Sequence, residues 1–187
     1  MAGFGFAKYR FPGRSILFLL VISTMMVPFQ ILVVPLFIEI KYFGWDNTYT
    51  GQIMPGLMNA FGVFMMRQYA GAIPDDLIEA ARVDGASEPW IFLRIALPLM
   101  ATALTSLGII VFIWSWSAFL WPLVAVHDRN LYVLSVGLSG YVQPFNREPM
   151  WGAAMAASTV ATIPIACLFI FLQRYFIKGL TAAAVKG

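Results

Sequence analysis

The residues best able to do chemistry in this chain are six charged side chains within the fourteen positions from 75 to 88. Charge is scarce elsewhere, since Asp, Glu, Lys and Arg make up 11% of the 187 residues. Pro74, Asp75 and Asp76 open the segment, and Gly85 lies near its end. The chemistry that this arrangement favours is binding. A short polar loop between apolar segments of membrane-spanning length predicts a docking surface for a water-soluble partner.

A second pattern, Gly137-Leu138-Ser139-Gly140, could supply a nucleophile. It matches the G-x-S-G pattern of rhomboid intramembrane proteases, which pair the serine with a histidine on a later helix. Here the single histidine, His127, precedes the serine and lies in a polar segment. A serine without a base is a weak nucleophile. We therefore keep a rhomboid-like protease only as a remote alternative, and we predict no catalytic residue.

Cofactor and metal chemistry is not indicated. The chain contains no G-x-x-x-x-G-K-[ST] phosphate loop, so any ATP should be bound by another subunit. His127 has no second metal ligand at a useful spacing. Cys167 is the single cysteine, and it lies in an apolar run, where packing is its expected role. We predict neither a metal nor a cofactor.

The elements that position the charged segment are membrane spans. The chain is 60% hydrophobic with a mean hydropathy of +0.79, and its uncharged runs reach the roughly 20 residues that a spanning helix needs. Within a membrane, α-helices are the only elements that satisfy all of their backbone hydrogen bonds internally without closing into a barrel. We predict an all-α polytopic membrane protein, a single domain over 1–187, with about four full spans and a partial helix at the N-terminus. The spans are predicted at about 15–38, 48–69, 91–119 and 150–173, and the polar loop at 73–90.

Prolines suggest where these helices are interrupted. We predict kinks near Pro28 and Pro164, and a break at Trp121-Pro122 because the third apolar run is too long for one helix.

The basic residues form a topology signal, which excludes a nucleic-acid partner despite the net charge of +3. If residues 8–14 are cytoplasmic, four crossings leave nine basic residues inside and only Lys41, Arg129 and Arg147 outside. The nine are Lys8, Arg10, Arg14, Arg67, Arg82, Arg94, Arg174, Lys178 and Lys186. The positive-inside rule then places the charged loop and the C-terminus in the cytoplasm and 127–148 outside.

Local rules predict a helix–glycine–helix loop. Pro74 suits a helix start, and Asp75 and Asp76 place negative charge at the positive end of the helix dipole. Gly85 should end this helix in the left-handed conformation. Ser87 is a candidate cap for the next helix.

The full spacing resembles one transporter family. Glu79-Ala80-Ala81, three residues, Gly85, nine residues and Ile95-x-Leu97-Pro98 match the EAA loop of permease subunits from ATP-binding-cassette (ABC) importers. Residues 173–187, 9–13 and 116–122 are similar to the MalG-like branch of carbohydrate importers. The resemblance implies a type I ABC importer transmembrane domain in the bacterial or archaeal plasma membrane.

The same resemblance implies partners and site residues. In the family, the EAA loop forms a coupling helix that docks in a cleft of a cytoplasmic ABC ATPase subunit, and ATPase closure drives alternating access. Further partners would be a second permease subunit and an extracytoplasmic solute-binding protein, and the substrate a sugar, oligosaccharide or polyol derivative such as glycerol phosphate. An ABC importer for another solute class is the alternative. The residues expected to contact the ATPase are Leu77, Glu79, Ala80, Ala81, Asp84 and Gly85.

Residues on the substrate path are less defined. Asn59, within the second predicted span, fits either helix–helix hydrogen bonding or the path of the substrate. Trp114 and Trp116 fit either interface anchors or rings that stack on a sugar. A passive channel or secondary transporter would explain the spans but not the charged loop, since secondary carriers place ionisable groups inside their helices.

The N-terminus departs from the six spans usual in the family. Residues 1–7 form an apolar stub that covers only about 10 Å as a helix, and the hydrocarbon core measures ~30 Å. We expect about one and a half further spans to be encoded upstream. We also expect the 187-residue chain alone not to assemble an active importer.

Overall fold

The computed structural model describes residues 1–142 and 148–184, with the backbone alone over 172–184. These residues form helices and no strand, which confirms the all-α prediction for the described part. In chain order the helices are α1 (Ala2–Lys8), α2 (Arg14–Ser23), α3 (Phe29–Tyr42), α4 (Tyr49–Ile53), α5 (Ala60–Gly71), α6 (Asp75–Val83), α7 (Glu88–Ile91), α8 (Leu97–Leu99), α9 (Ala101–Trp116), α10 (Leu120–Ala125), α11 (Leu134–Val142) and α12 (Trp151–Ala184).

The chain forms two compact units. The first comprises Met1–Val27, Asn59–Gly108 and the C-terminal residues from Tyr175, and the second comprises Pro28–Met58 and Ile109–Arg174. The charged loop therefore belongs to the first unit, and all of the tryptophans except Trp90 belong to the second.

Helix α1 and the charged loop share the core of the first unit. Phe4 of α1 is 2% exposed, and its ring lies 5.4 Å from that of Phe92. The buried side chains of this core are Phe4, Ala70, Ile73, Ile78, Ala81, Ile91, Phe92, Ala96 and Met100. Helix α1 also packs closely on α5, where Gly3 lies against the backbone of Val63 and Arg67. The seven residues of α1 are thus the central support of the loop.

The second unit is organised around Trp121. Its indole Nε1 donates to the carbonyl oxygen of Gly51 at 3.2 Å, and its ring meets that of Phe29 edge to face at 6.4 Å. The buried cluster around it consists of Ile40, Trp121, Ala125 and Val126. An indole with a buried N–H requires an acceptor, and α4 provides it.

Two of the predicted interruptions are found in the helices, one of them displaced. The kink near Pro28 is confirmed as a break, because Val27 and Pro28 are extended between a 3₁₀ turn and α3 and a proline disfavours the helical conformation of the residue before it. The break predicted at Trp121-Pro122 lies earlier in the chain. The chain leaves the helix at 117–119, and Pro122 lies in the first turn of α10, where a missing N–H costs little.

The second predicted span, 48–69, is not one helix. Helix α4 passes into the 3₁₀ turn Met54–Gly56, and α5 begins only at Ala60. Asn59 is therefore not in the middle of a span but caps α5, its Oδ1 accepting from Gly62 N at 3.2 Å. Asparagine prefers helix N-caps to helix interiors because its side chain competes for backbone hydrogen bonds.

The third and fourth predicted spans differ in continuity. A turn at Met100 separates α8 from α9 within 91–119. The fourth lies in α12, which continues through Pro164 without a break. By length and hydropathy, Trp151–Phe171 is the one described helix able to cross a membrane, or up to three can if each bent pair of helices counts as one span. The number of spans stays a prediction.

Candidate docking site

Helix α6 begins one residue later than the sequence predicts, since Pro74 was expected at the first helical position. Pro74 is the N-cap, with φ −58° and ψ 134°, and Asp75 and Asp76 occupy the first turn. The two carboxylates therefore lie beside the unpaired N–H groups of the helix start, where negative charge is favourable.

The end of α6 is a Schellman motif. Ala86 N donates to the Ala81 carbonyl at 2.9 Å, and Gly85 N donates to the Arg82 carbonyl at 3.0 Å. Gly85 has φ +82°, the left-handed conformation predicted for it. Both bonds satisfy carbonyls that the helix end would leave unpaired. Helix α7 begins at Glu88, and Ser87 is its N-cap residue. The Ser87 side chain makes no capping hydrogen bond.

The nine residues of α6 divide into two faces. Ile78 and Ala81 are 2% and 9% exposed and lie in the core of the first unit. Leu77 is 47% exposed and Val83 87% exposed, although both are apolar. The outward face consists of Asp76, Leu77, Glu79, Ala80, Val83 and Asp84. A small apolar centre at Ala80 and Val83, bordered by carboxylates, can receive a partner surface closely.

Five of the six residues predicted to contact a partner, Leu77, Glu79, Ala80, Asp84 and Gly85, are exposed. Ala81 is placed differently, since it faces the protein's own core and its carbonyl accepts the Schellman bond. Val83, which the sequence argument did not select, is the most exposed apolar side chain of the helix. The sequence did offer a signal for Val83, because it lies one helical turn after Glu79 and Ala80 and therefore on the same face of the helix.

Lys8, the last residue of α1, and Tyr9, which follows it, hold the two ends of this loop. Lys8 Nζ donates to Asp75 Oδ1 at 2.6 Å and also to the carbonyl of Ile73. Tyr9 Oη donates to Glu88 Oε2 at 2.5 Å. Arg82 completes the second contact, because its Nε donates to Glu88 Oε1 at 2.6 Å and its guanidinium lies 5.8 Å from the centre of the Tyr9 ring. We call this set, Lys8, Tyr9, Asp75, Arg82 and Glu88, the loop anchor.

The electrostatics of the loop anchor favour its ionised form at neutral pH. The hydrogen bond from Lys8 lowers the pKa of Asp75, and hydrogen bonds from Arg82 and then Tyr9 lower the pKa of Glu88. Burial, followed by the bond to Glu88, raises the pKa of Tyr9. Because both carboxyl pKa values are depressed on folding, these contacts are present above the ordinary carboxyl pKa and are lost as the pH falls through the lowered values.

The three predicted substrate-path residues are divided between the two units. Asn59 belongs to the first unit, and Trp114 and Trp116 to the second. The Trp116 indole Nε1 donates to the carbonyl of Ala161 at 3.1 Å, and its ring stacks on Phe112 at 5.5 Å. Trp114 is half exposed.

A cavity of about 260 Å³ lies beside Trp116 within the second unit. Four hydroxyl-bearing side chains, Ser117, Ser135, Ser158 and Thr162, line it with apolar residues. Sequence reasoning missed these hydroxyls, since they come from three distant parts of the chain, the turn after α9, α11 and α12, and share no motif. Ser139 has a local role, because its hydroxyl donates to the Val136 carbonyl at 2.7 Å. The C-terminal motif at 173–187 lies outside the residues whose side chains are described.

The fold has a solved counterpart among importers. A chain from a bacterial ABC transporter involved in the import of the acidic polysaccharide alginate superimposes with a TM-score of 0.80 over 93% of this chain and 66% of that chain, at 23% identity. At that identity the likeness concerns the fold alone.

Sequence comparison then assigns the family. Residues 1–182 match the family "Binding-protein-dependent transport system inner membrane component", and this chain belongs to it. The chain is 42% identical over 187 residues to the arabinooligosaccharides transport system permease protein AraQ of Halalkalibacterium halodurans. It is 34% identical over 180 residues to the sn-glycerol-3-phosphate transport system permease protein UgpE of Salmonella typhi. The match to the first relative includes all of this chain and 66% of that protein. The match to the second includes 96% of this chain and 64% of that protein.

Proposed function

We propose that this chain is the membrane-spanning permease subunit of an ATP-driven, solute-binding-protein-dependent importer of carbohydrates or polyol derivatives. The observation that carries the proposal is the exposed face of α6, which presents Glu79, Ala80 and Val83 on a helix held at both ends. Within this family, such a face is suited to receive a cytoplasmic ATPase subunit. ATP hydrolysis would occur in that subunit, and a second permease and a solute-binding protein would complete the importer.

The substrate class is inferred from the relatives. The name of one matched relative specifies arabinooligosaccharides and that of another sn-glycerol-3-phosphate. We propose that the hydroxyl-lined cavity beside Trp116 belongs to the substrate path, because hydroxyl groups and an aromatic ring suit a polyol surface. Trp114 and Asn59 are proposed for the same path on sequence grounds alone.

The face of α6 can be tested by one charge reversal. Glu79→Lys should weaken association with the ATPase subunit and lower ATP-dependent uptake by about tenfold or more, because it inverts the charge at the edge of the contact. Co-purification of the ATPase with the tagged permease measures the association. Glu39→Lys is the matched control, since Glu39 is also exposed but lies in the second unit, at the predicted outer end of the first span.

The Glu79→Lys and Glu39→Lys variants should differ clearly in the amount of ATPase that co-purifies with them. If Glu79→Lys retains the ATPase as well as Glu39→Lys does, α6 does not dock it. If both changes release the ATPase, the effect arises from charge or folding in general, and the docking assignment fails as well.

Topology provides an independent test. We expect cysteines placed at Asp84 and at Arg129 to react with an impermeant reagent from opposite sides of the membrane, with Asp84 on the cytoplasmic side. The native Cys167 is exposed and must first be replaced by alanine. Arg129 serves as the external position because residues 143–147 of the predicted outer region lie outside the described part. Labelling of both positions from one side would contradict the proposed orientation.

A further inference from the structure

The loop anchor joins the two ends of α6 to one point of the protein. Asp75 lies at the start of α6 and Glu88 at the start of the next helix, yet their partners, Lys8 and Tyr9, are neighbours in sequence. The anchor therefore spans the whole loop from its first carboxylate to its last.

Lys8 and its partner Asp75 differ in how far their side chains are exposed to solvent. The Lys8 side chain is 5% exposed, whereas that of Asp75 is 72% exposed. An exposed ion pair contributes little, but a buried ammonium without partners is strongly unfavourable. Lys8 has two acceptors at the entry to α6, the Asp75 carboxylate and the Ile73 carbonyl. The burial of Lys8 thus depends on α6 remaining in place.

The support behind the anchor is closely packed. Phe4, one turn before Lys8, packs against Tyr9 at 5.8 Å and against Phe92 at 5.4 Å. Helix α1 in turn lies against α5 at the close contact of Gly3. The anchor consequently connects α6 to helices on both sides of it in the sequence.

Without the anchor, few side-chain contacts would hold α6. Pro74 is extended before it and Gly85 is left-handed after it. Only Ile78 and Ala81 of its nine residues are buried. A force applied to its exposed face could then tilt the helix about these two ends without moving the rest of the unit.

We propose that Lys8 and Tyr9 are positioning residues that make α6, α1 and α5 move as one body, so that a push or pull on α6 is transmitted to the membrane-spanning part. The inference rests on the proposed function, since it assumes that the ATPase acts on α6. It adds to that function a second cytoplasmic segment, residues 8–9, which does not itself contact the ATPase.

The test uses the complete permease assembled with its partner subunits, and it measures solute imported per ATP hydrolysed. Lys8→Met and Tyr9→Phe should retain the ATPase but lower this ratio by about fivefold to tenfold, because each removes a charge-assisted hydrogen bond of the anchor. Lys8→Asp alone should lower it at least as far. The exchanged pair Lys8→Asp with Asp75→Lys should restore at least half of the wild-type ratio, because the ion pair is rebuilt.

A second measurement is independent of transport. Amide hydrogen exchange of residues 75–83 in the purified permease should be about tenfold faster in Lys8→Met and Tyr9→Phe than in the wild type, with exchange in α5 unchanged. Unchanged exchange in both variants would show that the anchor does not hold α6. Faster exchange with an unchanged import ratio would show that the anchor is structural only and would overturn the proposal.

Failure of the proposal is distinguishable from failure of the proposed function. If the ATPase binds and the wild type imports solute, but the exchanged pair does not recover the ratio lost in Lys8→Asp, the anchor assignment is wrong. If no ATPase associates with the wild type, the transport role itself is wrong, and the exchange experiment alone decides whether the anchor holds α6.

Discussion

Gly85→Val is expected to abolish most ATP-dependent uptake while the subunit still inserts in the membrane. Gly85 has φ +82°, and a Cβ at this position would meet no atom within 4 Å. The substitution therefore costs free energy through a strained backbone conformation and not through a steric clash. A β-branched residue in the left-handed region costs about 1–3 kcal/mol. Relief of that strain would break the bonds from Gly85 N and Ala86 N that end α6.

The consequence should be a misplaced docking face. We expect the amount of ATPase that co-purifies with Gly85→Val to fall together with uptake. Gly85→Asn is the matched variant, since asparagine tolerates the left-handed conformation better than other non-glycine residues. It should retain most of the association. Equal loss in the two variants would mean that glycine is required for space against a partner and not for its conformation.

Gly3→Ala is expected to lower the stability of the protein markedly. A Cβ on Gly3 would lie 2.7 Å from Met66 Cβ and 2.8 Å from both Val63 O and Arg67 N. Two of these atoms belong to the backbone of α5, so α1 would have to move away as a whole. Overpacking of this kind costs about 1–3 kcal/mol. We expect a lower Tm of the purified subunit in detergent and a lower yield from membranes.

Gly5→Ala provides the matched control within the same helix. Its Cβ would meet only Tyr9 Cδ2, at 3.9 Å, which is an ordinary contact. Since alanine also favours the helix by up to about 1 kcal/mol relative to glycine, Gly5→Ala should be neutral or stabilising. A similar loss of Tm in both variants would contradict the close packing of α1 on α5.

Hydropathy predicted apolar segments of spanning length but not the interruptions within them. The uncharged stretch at 48–69 predicted one helix, yet Pro55 and Gly56 lie in a 3₁₀ turn and Asn59 caps α5. Hydropathy sums the cost of transferring side chains to lipid and does not register whether backbone hydrogen bonds are continuous. The proline and the asparagine were the signals of a break, and their effect on the backbone outweighed the apolar composition.

The predicted docking residues show a similar limit. The pattern selected Ala81 together with Glu79 and Ala80, but Ala81 faces inward. A linear motif does not distinguish residues that contact a partner from those that hold the helix in its own protein. Only the packing of Ile78 and Ala81 against the core showed which face of α6 is exposed.

The sequence by itself determined the class of the protein and the ends of α6. Composition requires a membrane chain, and Asp75, Asp76 and Gly85 act through the local physics of helix termini, which depends on neighbours within a few residues. Only the tertiary structure decided which face of α6 is free and that Lys8 and Tyr9 hold it. Those contacts join positions 67 and 79 residues apart in the chain, and they arise because α1 packs on α5, a long-range arrangement that no local pattern encodes.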